Sequence, residues 1–319
     1  MKLLFVVHRY PPYRGGSEYY VQQMAEESLS RGHEVYVFTN DHMGDLNGVR
    51  VTSDASILDE QFDLIIVHGG GCNNQNQVHV KSEYIKSPIL YLIILPSTNA
   101  ICMKGMANAK YLGCSTQADY DHCMKYSYES KIRRVRHGIV APQVPIVQPF
   151  REKYQIKTKY MLLTCGGFWA HKNMMELAWI VDELKLNNTT LVCTGYHNNN
   201  THKPKNSEYV RSFFIEDRNE VIQAIHEADL YIMNSYEEGY GLVLLEAMSL
   251  RTPWIARGIA GALQLKDYGI VYNDRNELAE LLMNVEKTIS QIDTQVAYDY
   301  VMNNHLIKNT VDDLLTCVN

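Results

Sequence analysis

Long apolar runs are missing from this 319-residue sequence. No stretch approaches the roughly 18 apolar residues that a membrane-spanning helix needs, so we expect no transmembrane segment. The apolar run at residues 3–7 meets His8 and Arg9 too early for a signal peptide. The sequence therefore predicts a cytoplasmic protein.

An excess of positive charge is also missing. The chain has 30 Lys and Arg against 36 Asp and Glu, a formal net charge of −6. A protein without an overall positive field has no general means of attracting nucleic acid. We expect no nucleic-acid partner, and an anionic ligand would need a local site.

Metal-binding patterns are scarce. The seven cysteines include no Cys-x-x-Cys pair and no His/Cys cluster at zinc spacing, which indicates free thiols in a reducing compartment. Asp119 and Asp121 form the one Asp-x-Asp pattern, but they lie in a polar helical stretch at residues 116–128. We interpret them as a solvated helix face and predict no metal site. Walker A, G-x-G-x-x-G and Ser-His-Asp signatures are absent from the sequence as well.

Short apolar runs alternate with amphipathic stretches along the whole chain. The runs typical of doubly buried strands lie at residues 3–7, 34–39, 63–67, 89–94, 160–165, 189–194, 229–233 and 253–256. Between the first two, helical spacing is followed by Val21, Met24, Ala25 and Leu29. Ser17 is the predicted N-cap and Gly32 the predicted stop. This is a strand-helix-strand unit, typical of a parallel α/β sheet.

A proline-rich stretch divides the pattern. Residues 140–158 hold three prolines and no clear periodicity, and a fresh strand-loop-helix pattern follows. We predict an N-terminal Rossmann-like domain at 1–145, a C-terminal one at 146–291, and a terminal helix at 292–319 that returns to the first domain. Two doubly wound sheets facing each other across a cleft would bring their loops to one shared site.

The most specific segment is 235–248, SYEEGYGLVLLEAM. Glu238 and Glu246 stand on either side of a Gly-Tyr-Gly turn, residues 239–241, which opens an apolar helix. Glycines let a backbone approach a ligand closely, and the free N–H groups of a helix start suit a phosphate. Carboxylates accept hydrogen bonds from sugar hydroxyls. For either glutamate alone, a solvated surface acid is the alternative, but the combination with the turn predicts a site for an anion and for sugar or ribose hydroxyls.

This segment resembles the Glu-x7-Glu signature of the family 4 retaining glycosyltransferases, the group 1 glycosyl transferases of GT-B fold. Other segments resemble the same family in the same order. They are YPPYRGGSE at 10–18, RGHEV at 31–35, TCGGFWAHKN at 164–173 and RGIAG at 257–261. The resemblance implies a GT-B fold of two Rossmann-like domains.

The resemblance implies roles for residues of the C-terminal half. Glu246 would bind the ribose and Glu238 the donor sugar, while the amides of Gly239, Tyr240 and Gly241 would line the diphosphate or the sugar. Gly166 and Gly167 would form the glycine turn before Lys172, whose ammonium would stabilise the departing diphosphate. Family members usually carry arginine where this chain has Gly167, so part of the cationic clamp is missing. Arg257 is our candidate for the second cation.

In the N-terminal half, the resemblance and the residues point to two places. Gly15 and Gly16 open the first predicted helix, where their amides could touch the diphosphate. His68 ends a predicted strand, at a position where the family often places a histidine near the donor sugar. A simple turn and a structural histidine are the alternatives.

The resemblance implies a retaining, metal-independent transferase without a cofactor. It would move a sugar from a UDP-sugar or GDP-sugar donor to a hydroxyl of a glycan or glycoconjugate acceptor. Two alternatives stay open. One is a catalytically weak GT-B protein that only binds nucleotide sugar, and the other is a nucleotide-sugar epimerase.

Overall fold

A computed structural model describes residues 1–13, 15–40, 42–69, 73–81, 84–94, 98–145, 147–196 and 203–317. The chain folds into two compact units. Unit 1 comprises Met1–Val140 and Asn304–Asn319, and unit 2 comprises Ala141–Asn303. The division falls at 140/141, inside the proline-rich stretch.

Each unit is built on its own, largely parallel sheet. Unit 1 has strands β1 (Lys2–Val6), β2 (Glu34–Phe38), β3 (Gly44–Leu46), β4 (Val49–Thr52), β5 (Leu64–His68), β6 (Ile89–Leu92), β7 (Tyr111–Cys114) and β8 (Ile132–Arg134). Unit 2 has β9 (Tyr160–Cys165), β10 (Thr189–Gly195), β11 (Val210–Phe214), β12 (Leu230–Met233), β13 (Trp254–Arg257) and β14 (Ile270–Tyr272). The strand orders are β3-β4-β2-β1-β5-β6-β7-β8 and β11-β10-β9-β12-β13-β14, with β3 antiparallel to β4.

Helices connect the strands. They are α1 (Gly16–Ser30), α2 (Asn73–Lys81), α3 (Ala100–Asn108), α4 (Gln117–Lys125), α5 (Phe150–Lys153), α6 (Met174–Leu184), α7 (Arg218–Glu227), α8 (Leu242–Ser249), α9 (Ala260–Gln264), α10 (Arg275–Met283), α11 (Val285–Ser290), α12 (Thr294–Asn304) and α13 (Ile307–Thr316). Every residue of β5 is buried, as expected of a strand covered on both faces. The α/β class with doubly wound sheets is confirmed.

The first helix follows its predicted stripe but not its predicted cap. Val21, Met24 and Ala25 are buried, and Gly32 after the helix has a φ of +81°, the left-handed value that stops helices. The predicted Ser17 cap is wrong, because Gly15 occupies the N-cap position and Ser17 lies inside the helix. The glycine turn itself starts the helix.

The Asp-x-Asp pattern proves to be a helix cap rather than a solvated face. Asp119 is 2% exposed, and its Oδ2 accepts hydrogen bonds from the backbone of Ser115 and Thr116 at 3.0 and 2.8 Å. Thr116 in return accepts a bond from the Asp119 amide, which completes a capping box. Asp121 is exposed and bonds Gln117. The interpretation of Asp119 as solvated was wrong, because a carboxylate at N3 can fold back onto the helix start.

The C-terminal residues form two helices instead of one. α12 groups with unit 2 up to Asn303, while α13 groups with unit 1. Arg136 holds Asp313 of α13 with a 2.7 Å ion pair, and Arg31 of unit 1 holds Asp312 at 2.6 Å. α13 is thus part of unit 1 although it is distant in sequence. No helix in the described part of the chain has the length and apolar character to cross a membrane.

Candidate functional site

The strand order of unit 2 contains one point where the chain reverses direction across the sheet. From β9 the chain proceeds to β10 and β11 on one side, then returns to β12 on the other side of β9. The loops that follow β9 and β12 therefore diverge and leave a crevice, which is where open α/β sheets bind ligands. The segments 166–173 and 234–241 lie in these two loops.

The loop after β9 depends on its two glycines. Gly166 has a φ of +139°, a value that other residues rarely adopt. A Cβ on Gly167 would overlap the Trp169 indole, which donates a 2.9 Å hydrogen bond to the Tyr196 hydroxyl. The arginine usual in the family would require Trp169 to move. This packing is a physical reason why the chain has glycine at 167.

The loop delivers Lys172 to the crevice. A 3₁₀ turn at Ala170–Lys172 is followed by Asn173 in the left-handed conformation, and α6 then begins. Lys172 Nζ lies 2.5 Å from Glu238 Oε1, and the Ser235 hydroxyl donates to the same oxygen at 2.7 Å. The two side chains are 24% and 12% exposed, so the pair is partly desolvated yet reachable. The structure brings together two residues that the sequence predicted from separate motifs.

The Gly-Tyr-Gly turn sits directly before α8. Gly241 is the N-cap, with a φ of +81°, and Tyr240 is buried. A Cβ on Gly261 would overlap the carbonyl oxygen of Tyr240. The start of α9 therefore packs its backbone against the turn, and glycine at 261 permits this close approach.

Glu246 lies one turn inside α8 and is ion-paired with Arg218, the first residue of α7. The Glu246 side chain is 11% exposed and that of Arg218 39% exposed. Sequence reasoning missed Arg218, because β11 before it was not among the predicted strands. Its available signal was the Asp217-Arg-Asn-Glu pattern of a helix start.

The thiol of Cys165, at the end of β9, lies near both ion pairs. Burial raises the pKa of Cys165 to about 12, and the Glu246 carboxylate acts in the same direction, while Arg218 and Lys172 oppose it. The thiol is therefore neutral at physiological pH. The charges that act on the thiol are those of Lys172 and of the Arg218–Glu246 pair.

Arg257 ends β13 and joins a different set of contacts. Its guanidinium bonds Glu176 Oε2 and Asn234 Oδ1, both at 3.0 Å. Asn234 also accepts a 2.8 Å bond from the Tyr272 hydroxyl and donates to the Asn173 carbonyl at 3.1 Å. Arg257 thus supports the residue next to Lys172. No hydrogen bond or ion pair between described residues joins it to Lys172 or Glu238.

In unit 1 the strand order reverses between β1 and β5. Gly15 and Gly16 follow β1, and His68 is the last residue of β5. A Cβ on Gly15 would overlap the buried carboxylate of Glu18, whose Oε1 lies 3.3 Å from His8 Nε2. The start of α1 already holds an anion from the chain itself. A diphosphate approaching the amides of Gly15 and Gly16 would meet this carboxylate, a contact that sequence reasoning missed.

His68 is 4% exposed, and the Tyr20 ring lies edge-on to it at 6.1 Å. Burial lowers the pKa of His68 to about 4, and the nearby His8 adds to this, so the imidazole is neutral at pH 7. The backbone carbonyl of His68 accepts a hydrogen bond from the Gln75 side chain. Gly70 and Gly71 of the triglycine after it lie outside the described residues.

Known proteins resemble this chain in fold. The model of the family described as "Glycosyl transferases group 1" matches residues 159–288. HepE (Alr3699) of Anabaena, solved in complex with UDP, has a TM-score of 0.75 and 14% identity, covering 100% of this chain and 99% of its own. A glycosyltransferase from Rickettsia africae has a TM-score of 0.77 and 16% identity, with coverages of 99% and 97%.

A trehalose-6-phosphate protein from E. coli, solved with UDP-2-fluoro glucose, also shares the fold. Its TM-score is 0.74 at 11% identity, with coverages of 100% and 99%. No curated protein sequence matches the chain significantly. The GT-B fold is confirmed over the whole chain, and residues 159–288 are similar to the group 1 glycosyl transferase family.

Proposed function

We propose that this protein is a retaining glycosyltransferase that moves a sugar from a nucleoside-diphosphate sugar to a hydroxyl of a glycan or glycoconjugate. The observation that carries the proposal is the meeting of Lys172, Glu238 and the start of α8 where β9 and β12 diverge. A cation, a carboxylate and free helix-start amides suit a ligand that is a phosphate at one end and a polyol at the other. The UDP bound to HepE supports a uridine donor.

The roles of the residues follow from charge. Lys172 and Glu238 neutralise each other at 2.5 Å. A bound diphosphate would attract the Lys172 ammonium and leave Glu238 Oε1 open to accept from a sugar hydroxyl. The amides beyond Gly241 at the start of α8 would stabilise the diphosphate as its bond to the anomeric carbon breaks.

In the proposed route to retention, the acceptor oxygen attacks the face from which the diphosphate leaves. An oxygen of the departing phosphate would take the acceptor proton, so no enzyme nucleophile is needed. Lys172 would counter the negative charge that grows on that phosphate. The configuration of the product, read by NMR, tests retention: an inverted anomer would contradict it.

Substitutions of the two carboxylates, Glu246 and Glu238, should have different effects on nucleotide affinity and on turnover. Glu246→Gln should weaken binding of the nucleoside diphosphate, because the ribose contact loses its charge. Glu238→Gln should leave that affinity near the parental value and depress turnover, because it contacts the sugar. Calorimetry with UDP and GDP measures the first effect, and a transfer assay measures the second. Parental binding and parental turnover in both variants would show that the acid pair has no part in the site.

The proposed reaction needs no divalent metal. Asp119 is engaged in the capping box, and helix-start amides and Lys172 take the place of a cation at the diphosphate. We expect the initial rate of transfer to stay nearly unchanged when EDTA is added. A rate that falls with EDTA and returns with Mn²⁺ would refute metal independence.

Product analysis with a panel of UDP- and GDP-sugars separates the proposed reaction from its rivals. A transferase yields a glycosylated acceptor or slow hydrolysis of the donor. Binding without turnover would indicate a nucleotide-sugar-binding protein, in keeping with the missing arginine at Gly167. An epimerised donor would indicate an epimerase.

A further inference from the structure

Arg218 occupies a place where a positive charge is unfavourable for its own helix. It is the first residue of α7, next to the N-cap Asp217, and the start of a helix carries partial positive charge. Helix stability alone therefore does not explain an arginine there. The compensating charge comes from Glu246 of α8.

A second segment of unit 2 provides an internal comparison. Asp274-Arg275-Asn276-Glu277 repeats the sequence of Asp217-Arg218-Asn219-Glu220. In both segments aspartate is the N-cap and accepts a bond from the asparagine amide, and arginine is the first helical residue. Both arginines pair with a glutamate of another helix. The same local sequence thus builds the same helix start twice.

The two ion pairs differ in exposure. Arg275 and Glu183 have side chains that are 52% and 68% exposed, so their pair is an ordinary surface contact. Glu246 is 11% exposed and lies close to the end of β9 beside Cys165. A carboxylate there costs desolvation free energy unless a cation accompanies it.

The contact leaves part of the carboxylate open. The Arg218 guanidinium bonds Oε1 of Glu246, and no hydrogen bond from another described residue reaches Oε2. A carboxylate held through one oxygen keeps a fixed orientation and retains acceptor positions on the other oxygen. Hydroxyl groups of a ribose are donors of the right kind.

We propose that Arg218 is a positioning residue of the nucleotide site: it keeps Glu246 ionised and oriented so that the carboxylate recognises the ribose hydroxyls. This inference rests on the proposed function, and it assigns to that function a residue outside the Glu-x7-Glu signature. Arg218 acts through Glu246, so its contribution should vanish when Glu246 is already neutral.

The test compares ribose with deoxyribose. Calorimetry measures the affinity of the parent and of Arg218→Gln, Arg218→Lys and Glu246→Gln for UDP, 2′-deoxy-UDP and 3′-deoxy-UDP, and for the GDP series. We expect the parent to prefer the ribonucleotide by about tenfold over at least one deoxy form, the scale of a charge-assisted hydrogen bond. Arg218→Gln should lower affinity for the ribonucleotide by about tenfold and abolish the preference. Arg218→Lys should keep part of the affinity and part of the preference for ribose.

Two controls make the result specific. Arg275→Gln removes the matched arginine from the same helix-start sequence and should leave affinity and preference at the parental values. The double variant Arg218→Gln/Glu246→Gln should bind like Glu246→Gln alone. Thermal unfolding shows which variants are no longer folded. If Arg218→Gln does not fold, Arg218→Lys still tests the inference.

Several outcomes would overturn the inference. One is a parental preference for ribose in Arg218→Gln. Another is a loss of ribonucleotide affinity in Arg275→Gln that equals the loss in Arg218→Gln. A third is a double variant that binds the ribonucleotide more weakly than Glu246→Gln alone. In all these cases the parent still binds nucleotide, and the proposed function stands. A parent that binds neither UDP nor GDP would refute the proposed function and the inference with it.

Discussion

Lys172→Ala is expected to lower kcat/KM by about 10² to 10³-fold, the scale found when one preorganised donor to a developing oxyanion is removed. Lys172 is the cation that the loop after β9 delivers to the crevice, and it has no basic neighbour at Gly167. The loss should appear mainly in kcat, because the charge on the departing diphosphate grows in the transition state. Steady-state kinetics of sugar transfer measure it.

The matched control is Lys159→Ala. Lys159 also pairs with a glutamate in unit 2, but its side chain and that of Glu286 are 55% and 79% exposed. Its removal should leave kinetics unchanged, since exposed pairs contribute little. Parental kcat/KM in Lys172→Ala would show that the Lys172–Glu238 pair is a structural contact.

Arg257→Ala separates two roles of the second cation. If Arg257 binds the diphosphate itself, as the sequence suggests, removing it from the Lys172→Ala variant should lower kcat/KM further, by the factor seen for Arg257→Ala alone. If it acts by supporting Asn173 through Asn234, the double variant should be no slower than Lys172→Ala alone. The contacts of Arg257 with Glu176 and Asn234 favour the second result.

Acid should unfold unit 1 before unit 2. The buried histidines among the described residues are His68, His79, His137 and His305, and all four belong to unit 1. Burial lowers the pKa of His68 and His79 to about 4 and that of His137 to about 3, with neighbouring His8, Lys104 and His68 respectively acting in the same direction. It also lowers the pKa of His305.

The sign follows from proton binding. Between the unfolded pKa of 6.5 and the folded value of about 4, the unfolded state binds more protons. The neutral buried histidines therefore make their whole contribution to the free energy of unfolding above pH 6.5, and this contribution is lost as the pH decreases toward 4. By pH 4 each such histidine would lower the free energy of unfolding by about 3 kcal/mol. The summed effect of a few such histidines exceeds the free energy of unfolding of an ordinary domain.

The tryptophans allow the two units to be followed separately. Trp169, Trp179 and Trp254 are the three tryptophans of the chain, and all lie in unit 2. During an acid titration, far-UV circular dichroism should lose signal at a higher pH than tryptophan emission changes. His79→Gln should shift the first transition to lower pH, because one titrating group is removed. Coincident transitions, or a tryptophan change that comes first, would contradict the expectation.

The sequence determined most of the buried strands. Each of the eight predicted apolar runs overlaps an observed strand, because a strand covered on both faces must be apolar along its length. The strands that it missed are short or partly polar, such as β8 with two arginines and β11 with the sequence VRSFF. Both β8 and β11 lie at sheet edges, where one side is exposed and the pattern weakens.

The sequence also offered Lys172, Glu238 and Glu246 as candidate site residues, because glycine turns at helix starts and the acids around them are local patterns. Only the tertiary structure decided which charges meet. Arg218 is 28 positions from Glu246, and Arg257 is 81 positions from Glu176. Pairs at such separations depend on which strands become neighbours, and a parallel sheet sets that order through long-range contacts. For the same reason the sequence could offer the Gly15-Gly16 turn to a phosphate, whereas the folded chain places the carboxylate of Glu18 there.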